Sequence, residues 1–243
     1  MKNIERKDSL INNGHMDYGF ELKDTLVFDV GLNLGNKSAY FLYLGASVIG
    51  FEPQKDCYDH AMQRFAVNRT NGSFKGVNAA LSDTVGFADF YTSDQHVLSS
   101  MSEDFIIEAE KERFIGTKWN NKIQVATRTL DDSICEFGVP KYIKIDVEGF
   151  EYNVLKGLSS PVEYISIEFT PELYKNSEKC IDYLHALNNQ NCEYNYVYRE
   201  NDHFFFKEWQ DIDSIKKYLS NIEDFSYEFG DIYIKSYINN PTE

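Results

Sequence analysis

Val27-Phe28-Asp29-Val30-Gly31-Leu32-Asn33-Leu34-Gly35 is the stretch that decides the fold. A short run of β-branched and aromatic residues ends abruptly in glycine, as a buried parallel strand does when it turns into a helix. Glycines at 31 and 35 permit a sharp turn and a close backbone approach to a ligand. Lys37 to Leu44 carries apolar residues at helical spacing and stops at Gly45, a glycine C-cap. The N-terminus of that helix faces the crevice beyond the carboxyl ends of the strands.

Outward from this unit the pattern alternates. Strands are expected at Ser47–Phe51, Phe74–Leu81, Lys122–Thr127, Tyr142–Asp146 and Val162–Phe169, with Phe87–Tyr91 beside the third. Helices are expected at Asp56–Val67, Glu103–Phe114, Leu130–Phe137, Phe150–Lys156, Ser177–Leu187 and Ile212–Leu219. Glu193–Tyr198, His203–Phe206 and Ser226–Ile234 read as late strands. Alternating βα units with a β-rich end imply an α/β fold, a mainly parallel sheet with an antiparallel edge strand. Residues 1–24 read as a lead-in and 25–243 as one domain, with 93–121 a polar insertion suited to a lid or an acceptor-binding wall.

Charge narrows the partners. The chain has 24 Lys+Arg against 39 Asp+Glu, a net −15, and a field of that sign repels nucleic acid and anionic membranes. Its apolar runs fall far short of the ~20 residues of a membrane span, and the first residues lack the apolar core of a signal peptide. A soluble, cytoplasmic protein with no nucleic-acid or membrane partner is expected. Cys57, Cys135, Cys180 and Cys192 form no CxxC pair and lack zinc-ligand spacing, so free thiols are expected.

Two sites stand out. At the first, Asp29 precedes the glycine turn and Glu52-Pro53 ends the next strand, where a carboxylate can accept from both ribose hydroxyls of a nucleoside cofactor. Dinucleotide binding would require glycine at 33 and 36, and both are asparagine. An acid beside the turn instead suits a cationic cofactor such as S-adenosylmethionine (SAM). At the second, Asp146 and Glu148 end the fourth core strand with a spacing of two, and Glu168 ends the fifth. These acids could hold a substrate hydroxyl, act as base, or bind a divalent metal, and the sequence leaves metal use open. Glu151, inside the following helix, reads as structural. His96 in the polar loop and the aromatics Tyr91, Trp119, Tyr174 and Tyr198 are further candidates near an acceptor.

Ile143-Lys144-Ile145-Asp146-Val147-Glu148-Gly149-Phe150-Glu151, followed by Val154-Leu155-Lys156-Gly157, resembles the signature of the FkbM family of SAM-dependent methyltransferases. The glycine turn, Phe51-Glu52-Pro53, Asn78-Ala79-Ala80-Leu81-Ser82-Asp83 and Thr129-Leu130-Asp131-Asp132 match in order, and the resemblance runs over about residues 25–236. It implies a Rossmann-like class I methyltransferase fold, a seven-stranded sheet with helices on both faces, and methyl transfer from SAM to a hydroxyl of a small molecule or glycan. By matching position, Asp29, Gly31, Asn33 and Gly35 belong at the methionine end and Glu52 at the ribose, with Ser38 and Pro53 as further cofactor-binding candidates. Ala80 and Leu81 belong near adenine, with Asp146 and Glu148 at the methyl and acceptor, where Glu168 is a further catalytic candidate from its place at the strand end. Leu32 departs from the family, which often has a small residue there, so its side chain must point away from SAM or narrow the pocket. A SAM-binding module without catalysis and an NAD-dependent oxidoreductase are the competing readings.

Overall fold

A computed structural model describes residues 19–95, 98–111, 116–119, 121–199, 201, 203–222 and 228–238. The glycine-turn unit has the expected form: β1 (Leu26–Val30), a turn, then α1 (Asn36–Tyr43). Next come β2 (Ser47–Phe51), α2 (Lys55–Arg64), α3 (Ala66–Asn71), β3 (Phe74–Val77), β4 (Ala80–Leu81) and β5 (Gly86–Thr92). The chain continues through α4 (Glu103–Lys111), β6 (Asn121–Arg128), α5 (Leu130–Phe137), β7 (Tyr142–Ile145), α6 (Glu151–Lys156) and β8 (Tyr164–Phe169). It closes with α7 (Tyr174–Leu187), β9 (Cys192–Tyr198), α8 (Ile212–Leu219) and β10 (Gly230–Ser236).

Seven strands form one sheet in the order β3-β2-β1-β7-β8-β10-β9. The first five are parallel, and β10 runs antiparallel between β8 and the outermost β9. Alternate residues supply two cores. Phe28, Ile143, Ile145 and Ile167 face Leu155 of α6 and Ile181 of α7, while Val27, Val48 and Tyr142 face Phe41 of α1 and Met62 of α2. Helices therefore cover both faces, as parallel strands require. Phe20 stacks on Tyr164 with ring centroids 3.8 Å apart, and Leu22 is buried. No helix among the described residues is long and apolar enough to cross a membrane.

Several local expectations are corrected. The strand expected at Phe74–Leu81 divides, because the Asn78 amide donates to the carbonyls of Glu52 and Pro53 and turns the chain after Val77. Its second part, β4, joins a separate three-stranded sheet in the order β4-β6-β5, so Phe87–Tyr91 pairs with β6 and not with β3. The helix expected over Asp56–Val67 breaks at Phe65, whose ring is buried against Phe74. His203–Phe206 is tethered rather than paired as a strand: the Asn195 side chain bonds both the N–H and the carbonyl of Phe206. Residues 112–114 of the expected helix Glu103–Phe114, and 1–18 of the lead-in, lie outside the described residues.

Leu32 turns away from the crevice. It is 3% exposed and packs against Gly50, where an added Cβ would stand 2.9 Å from both Leu32 methyl carbons. The large residue at 32 is thus matched by glycine on the neighbouring strand. Gly50→Ala is expected to destabilise the fold by about 1–3 kcal/mol through overpacking. In a double-mutant cycle by urea unfolding, Leu32→Ala should recover about 1 kcal/mol or more of that loss; additive costs would refute the pairing.

Candidate active site

The turn after β1 and the loop after β7 touch through their backbones. The Asp146 N–H donates to the Val30 carbonyl at 3.0 Å, and a Cβ on residue 31 would collide with the Asp146 carbonyl oxygen. Gly31 also has φ of +85°, so both space and conformation require glycine there. The N–H groups of Gly31 and Leu32 both donate to the Phe51 carbonyl, at 3.1 and 3.0 Å.

Around this junction lies a cleft of about 800 Å³, counted to its open mouth. Gly31, Asn33, Glu52, Pro53, Ala80, Leu81, Asp146 and Glu148 line it, eight of the positions expected from sequence. Asp29, Gly35 and Ser38 do not. Asp29 is 1% exposed and accepts from the buried Ser38 hydroxyl at 2.6 Å, while Gly35 packs on Phe65. These three shape the turn from beneath. Phe90, Ser99 and Met101, from β5 and the segment after it, close the cleft on its far side. Glu52 accepts from the N–H of Asn33 at 2.7 Å and of Gln54 at 2.8 Å. Burial outweighs these bonds and pushes its carboxyl up to about 7. The buried side-chain oxygen of Asn33 has no hydrogen-bond partner. The four cysteines are free, and burial, with Glu52 and Asp56 adding, pushes the Cys57 thiol at the cleft wall up to about 11, so it stays neutral.

A second cavity of about 820 Å³ adjoins the first, and Glu148 lines both. Glu168 lies in its wall. Asp146, Glu148 and Glu168 each offer a carboxylate oxygen, all within 4.8 Å of one another, a spacing that can hold a divalent cation. Burial, then repulsion from Glu148 and Asp146, raises the Glu168 carboxyl well above its usual range. Glu148 itself has φ of +53°, a left-handed conformation that side-chain-bearing residues seldom adopt. Two groups hold it there. The Ser100 hydroxyl donates to the Glu148 carbonyl at 2.6 Å, and the Glu151 carboxylate accepts from the N–H of Val147 and Gly149 at 3.2 and 3.0 Å. Glu151 is thus an organiser of the loop, as its place inside the helix suggested. None of Tyr91, Trp119, Tyr174 and Tyr198 lines either cavity among the described residues; Trp119 instead packs behind Phe105 and donates to the Leu98 carbonyl. His96 lies outside the described residues.

Lys144 was not foreseen as part of the site. It is 4% exposed and donates to Asp146 at 2.8 Å. Burial opposes its charge, but Asp146, Asp29 and Asp231 together hold the ammonium above its usual range. Its signal in the sequence is a lysine inside an otherwise apolar buried strand, which must find carboxylates. Ser100 carries no such signal, because its partner lies 48 residues away.

A seven-stranded sheet of this order, with a glycine turn and acidic strand ends facing one crevice, defines a Rossmann-like class I methyltransferase fold. The sequence profile of the Methyltransferase FkbM domain matches residues 29–229, and the chain belongs to that family. It is 28% identical over 147 residues to the hexuronic acid methyltransferase AglP of Haloferax volcanii, covering 59% of this chain and 54% of that protein. It is 29% identical over 157 residues to the methyltransferase sdnD of Sordaria araneosa, covering 54% and 60%. The matched regions thus span little more than half of each relative. The crystal structure of the methyltransferase FkbM from Methylobacillus flagellatus shares the fold at a TM-score of 0.50 and 13% identity, over 91% of this chain and 47% of that one.

Two predictions test this network. Lys144→Met removes the cation beside the buried Asp29 and the half-buried Asp146 and is expected to cost about 3 kcal/mol in urea unfolding; a loss within experimental scatter would mean the cluster is not ionic. Glu151, like Glu52, is pushed up from 4.5 to about 7, chiefly by burial. Between those values the folded chain keeps protons that the unfolded chain releases, so the ligand-free protein should lose stability as pH rises from about 5 to 7. Each group contributes a slope of up to about 1.4 kcal/mol per pH unit. Glu151→Gln should flatten the dependence of the thermal midpoint on pH; an unchanged slope would show that Glu151 does not carry its share.

Proposed function

We propose that the chain is a SAM-dependent methyltransferase acting on a hydroxyl oxygen of a sugar, glycan or small biosynthetic metabolite. The observation that carries this reading is the charge of the first cleft. Glu52, Asp146 and Glu148 line it, and no Lys, Arg or His does among the described residues. The Gly31 and Leu32 amides, which a pyrophosphate would need, are already bonded to Phe51. Such a cleft suits a cofactor bearing a sulfonium and an ammonium and disfavours a dinucleotide. Gly31 leaves room at the turn, Glu52 can still accept from ribose hydroxyls, and the unpartnered Asn33 oxygen can accept from the ammonium.

When bound, SAM would supply an electrophilic methyl for the acceptor oxygen with its sulfur as the neutral leaving group, and a carboxylate of the chain would take up the hydroxyl proton. The chain's own part is alignment, exclusion of water and that proton transfer. Glu148, at the junction of the two cavities, orients the hydroxyl. Glu168 supplies the base when ionised, and the cationic sulfonium favours that form. Asp146, neutralised by Lys144, holds the methyl end. With Asp146 so paired, we assign the acids to orientation and proton transfer rather than to a metal. We assign segment 93–121 to the acceptor wall, since Leu98, Phe105 and Ala109 face the second cavity. The relative named for hexuronic acid supports a sugar-derived acceptor within the family.

Calorimetric titration should show saturable binding of SAM and S-adenosylhomocysteine and none of NADH. Glu52→Ala and Gly31→Ala are each expected to weaken SAM binding by about tenfold or more, a loss of about 1.4 kcal/mol. Methyl transfer from labelled SAM in an acceptor screen should survive EDTA. NADH binding without SAM binding would overturn the proposal, and SAM binding with no product from any acceptor would favour a non-catalytic module.

A further inference from the structure

Segment 98–105 supplies a wall to both cavities. Ser99 and Met101 line the cofactor cleft, while Leu98 and Phe105 line the second cavity. Between them Ser100, 1% exposed, has a partner for each of its polar atoms. Its N–H donates to the Tyr91 carbonyl at 3.1 Å, and its carbonyl accepts from the Tyr91 N–H at 2.9 Å. Its hydroxyl accepts from the Ser102 N–H at 2.8 Å and donates to the Glu148 carbonyl at 2.6 Å. The Ser102 hydroxyl in turn accepts from the Phe105 N–H at 3.1 Å. A hydrogen-bonded run therefore leads from Phe105 through Ser102 and Ser100 to Glu148, which lines both cavities. On the other side of that loop, Phe105 and Leu173 close over Gly149, where a Cβ would stand 2.7 and 2.9 Å from them.

Resting on the reading of the first cleft as a SAM site, we infer that this run links the two cavities, with Ser100 as the positioning residue that makes the link. Cofactor in the cleft lies against Ser99 and Met101 and steadies segment 98–105. Ser100 passes that restraint to the Glu148–Gly149 backbone, and Phe105 passes it to the wall of the second cavity. The restraint matters because Glu148 has φ of +53°, a conformation that persists only while its surroundings hold it. A serine hydroxyl can donate and accept at once, so Ser100 serves both the Ser102 amide and the Glu148 carbonyl; alanine serves neither. Ordering achieved by the first ligand is not required again of the second, which makes their binding cooperative without a large movement. The effect is reciprocal, as linkage demands. The acceptor then enters a cavity whose shared acid is already set toward the methyl donor.

NMR on the full chain, labelled at its amides and at leucine and methionine methyls, tests this with S-adenosylhomocysteine as the probe. Saturation is expected to shift the Met101 methyl by direct contact. Through the run it should also shift the methyls of Leu173, which lines the second cavity and not the first. Amide exchange at Val147 and Gly149 should slow by about fivefold or more. In Ser100→Ala the probe should still saturate and shift Met101, while the Leu173 response and the added protection disappear. Ser100→Thr keeps the hydroxyl and should restore both. A Leu173 response that survives in Ser100→Ala, with only a lower thermal midpoint, makes Ser100 merely structural and overturns the inference. So does a silent Leu173 with unchanged exchange in the unaltered protein, a result that needs no variant to fold. Failure of S-adenosylhomocysteine to bind defeats the SAM reading and this inference with it; binding without a response at Leu173 defeats only this inference.

Discussion

The contact on which the site depends is between two pieces of backbone. Strands β1 and β7 lie side by side at the centre of the sheet, and the chain leaving one passes so close to the chain leaving the other that only glycine fits at residue 31. This brings the glycine turn and Asp146 to one point. A side chain at 31 would push the loops apart and separate the glycine turn from the acidic strand end.

Electrostatics sets the next constraint. Asp29, buried beneath the crevice, lies close to the half-buried Asp146 and Asp231, and a buried carboxylate in such company needs a cation. Lys144, in register with Asp29 on the neighbouring strand, supplies it. Among the described residues no cation pairs with Glu168, and burial with its acidic neighbours raises that carboxyl above its usual range.

The smaller sheet and the segment after it complete the site. Splitting the chain at Asn78 sends β4 away from the main sheet into the sheet that carries β5, whose Phe90 lines the crevice. Ser100 and Phe105 then reach back to the Glu148–Gly149 loop, one by a hydrogen bond and one by packing. The left-handed backbone at Glu148 is held from two directions, which fixes its carboxylate between the two cavities. Position rather than acidity alone distinguishes Glu148 from the many other acids of this chain.

The central strands, the glycine turn and the acidic strand ends were legible in the sequence, because each is encoded locally: a short apolar run, a glycine where a turn must follow, a carboxylate at the run's end. The resemblance over the IKIDVEG block extended that reading to the family. Local patterns also placed α5 and α8, whose caps Thr129 and Asp211 bond back to Asp132 and Ser214. Only the tertiary structure decided that β4 and β5 leave the main sheet, since strand pairing depends on partners distant in sequence. It alone showed that Asp29 and Ser38 support the cleft from beneath while Glu52 lines it, and that Leu32 is accommodated by Gly50. Lys144 and Ser100 acquire their roles in the same way: a hydrogen bond or an ion pair exists only when the fold brings its two ends together, and no single stretch of sequence contains both the side chain and the surroundings that give it a function.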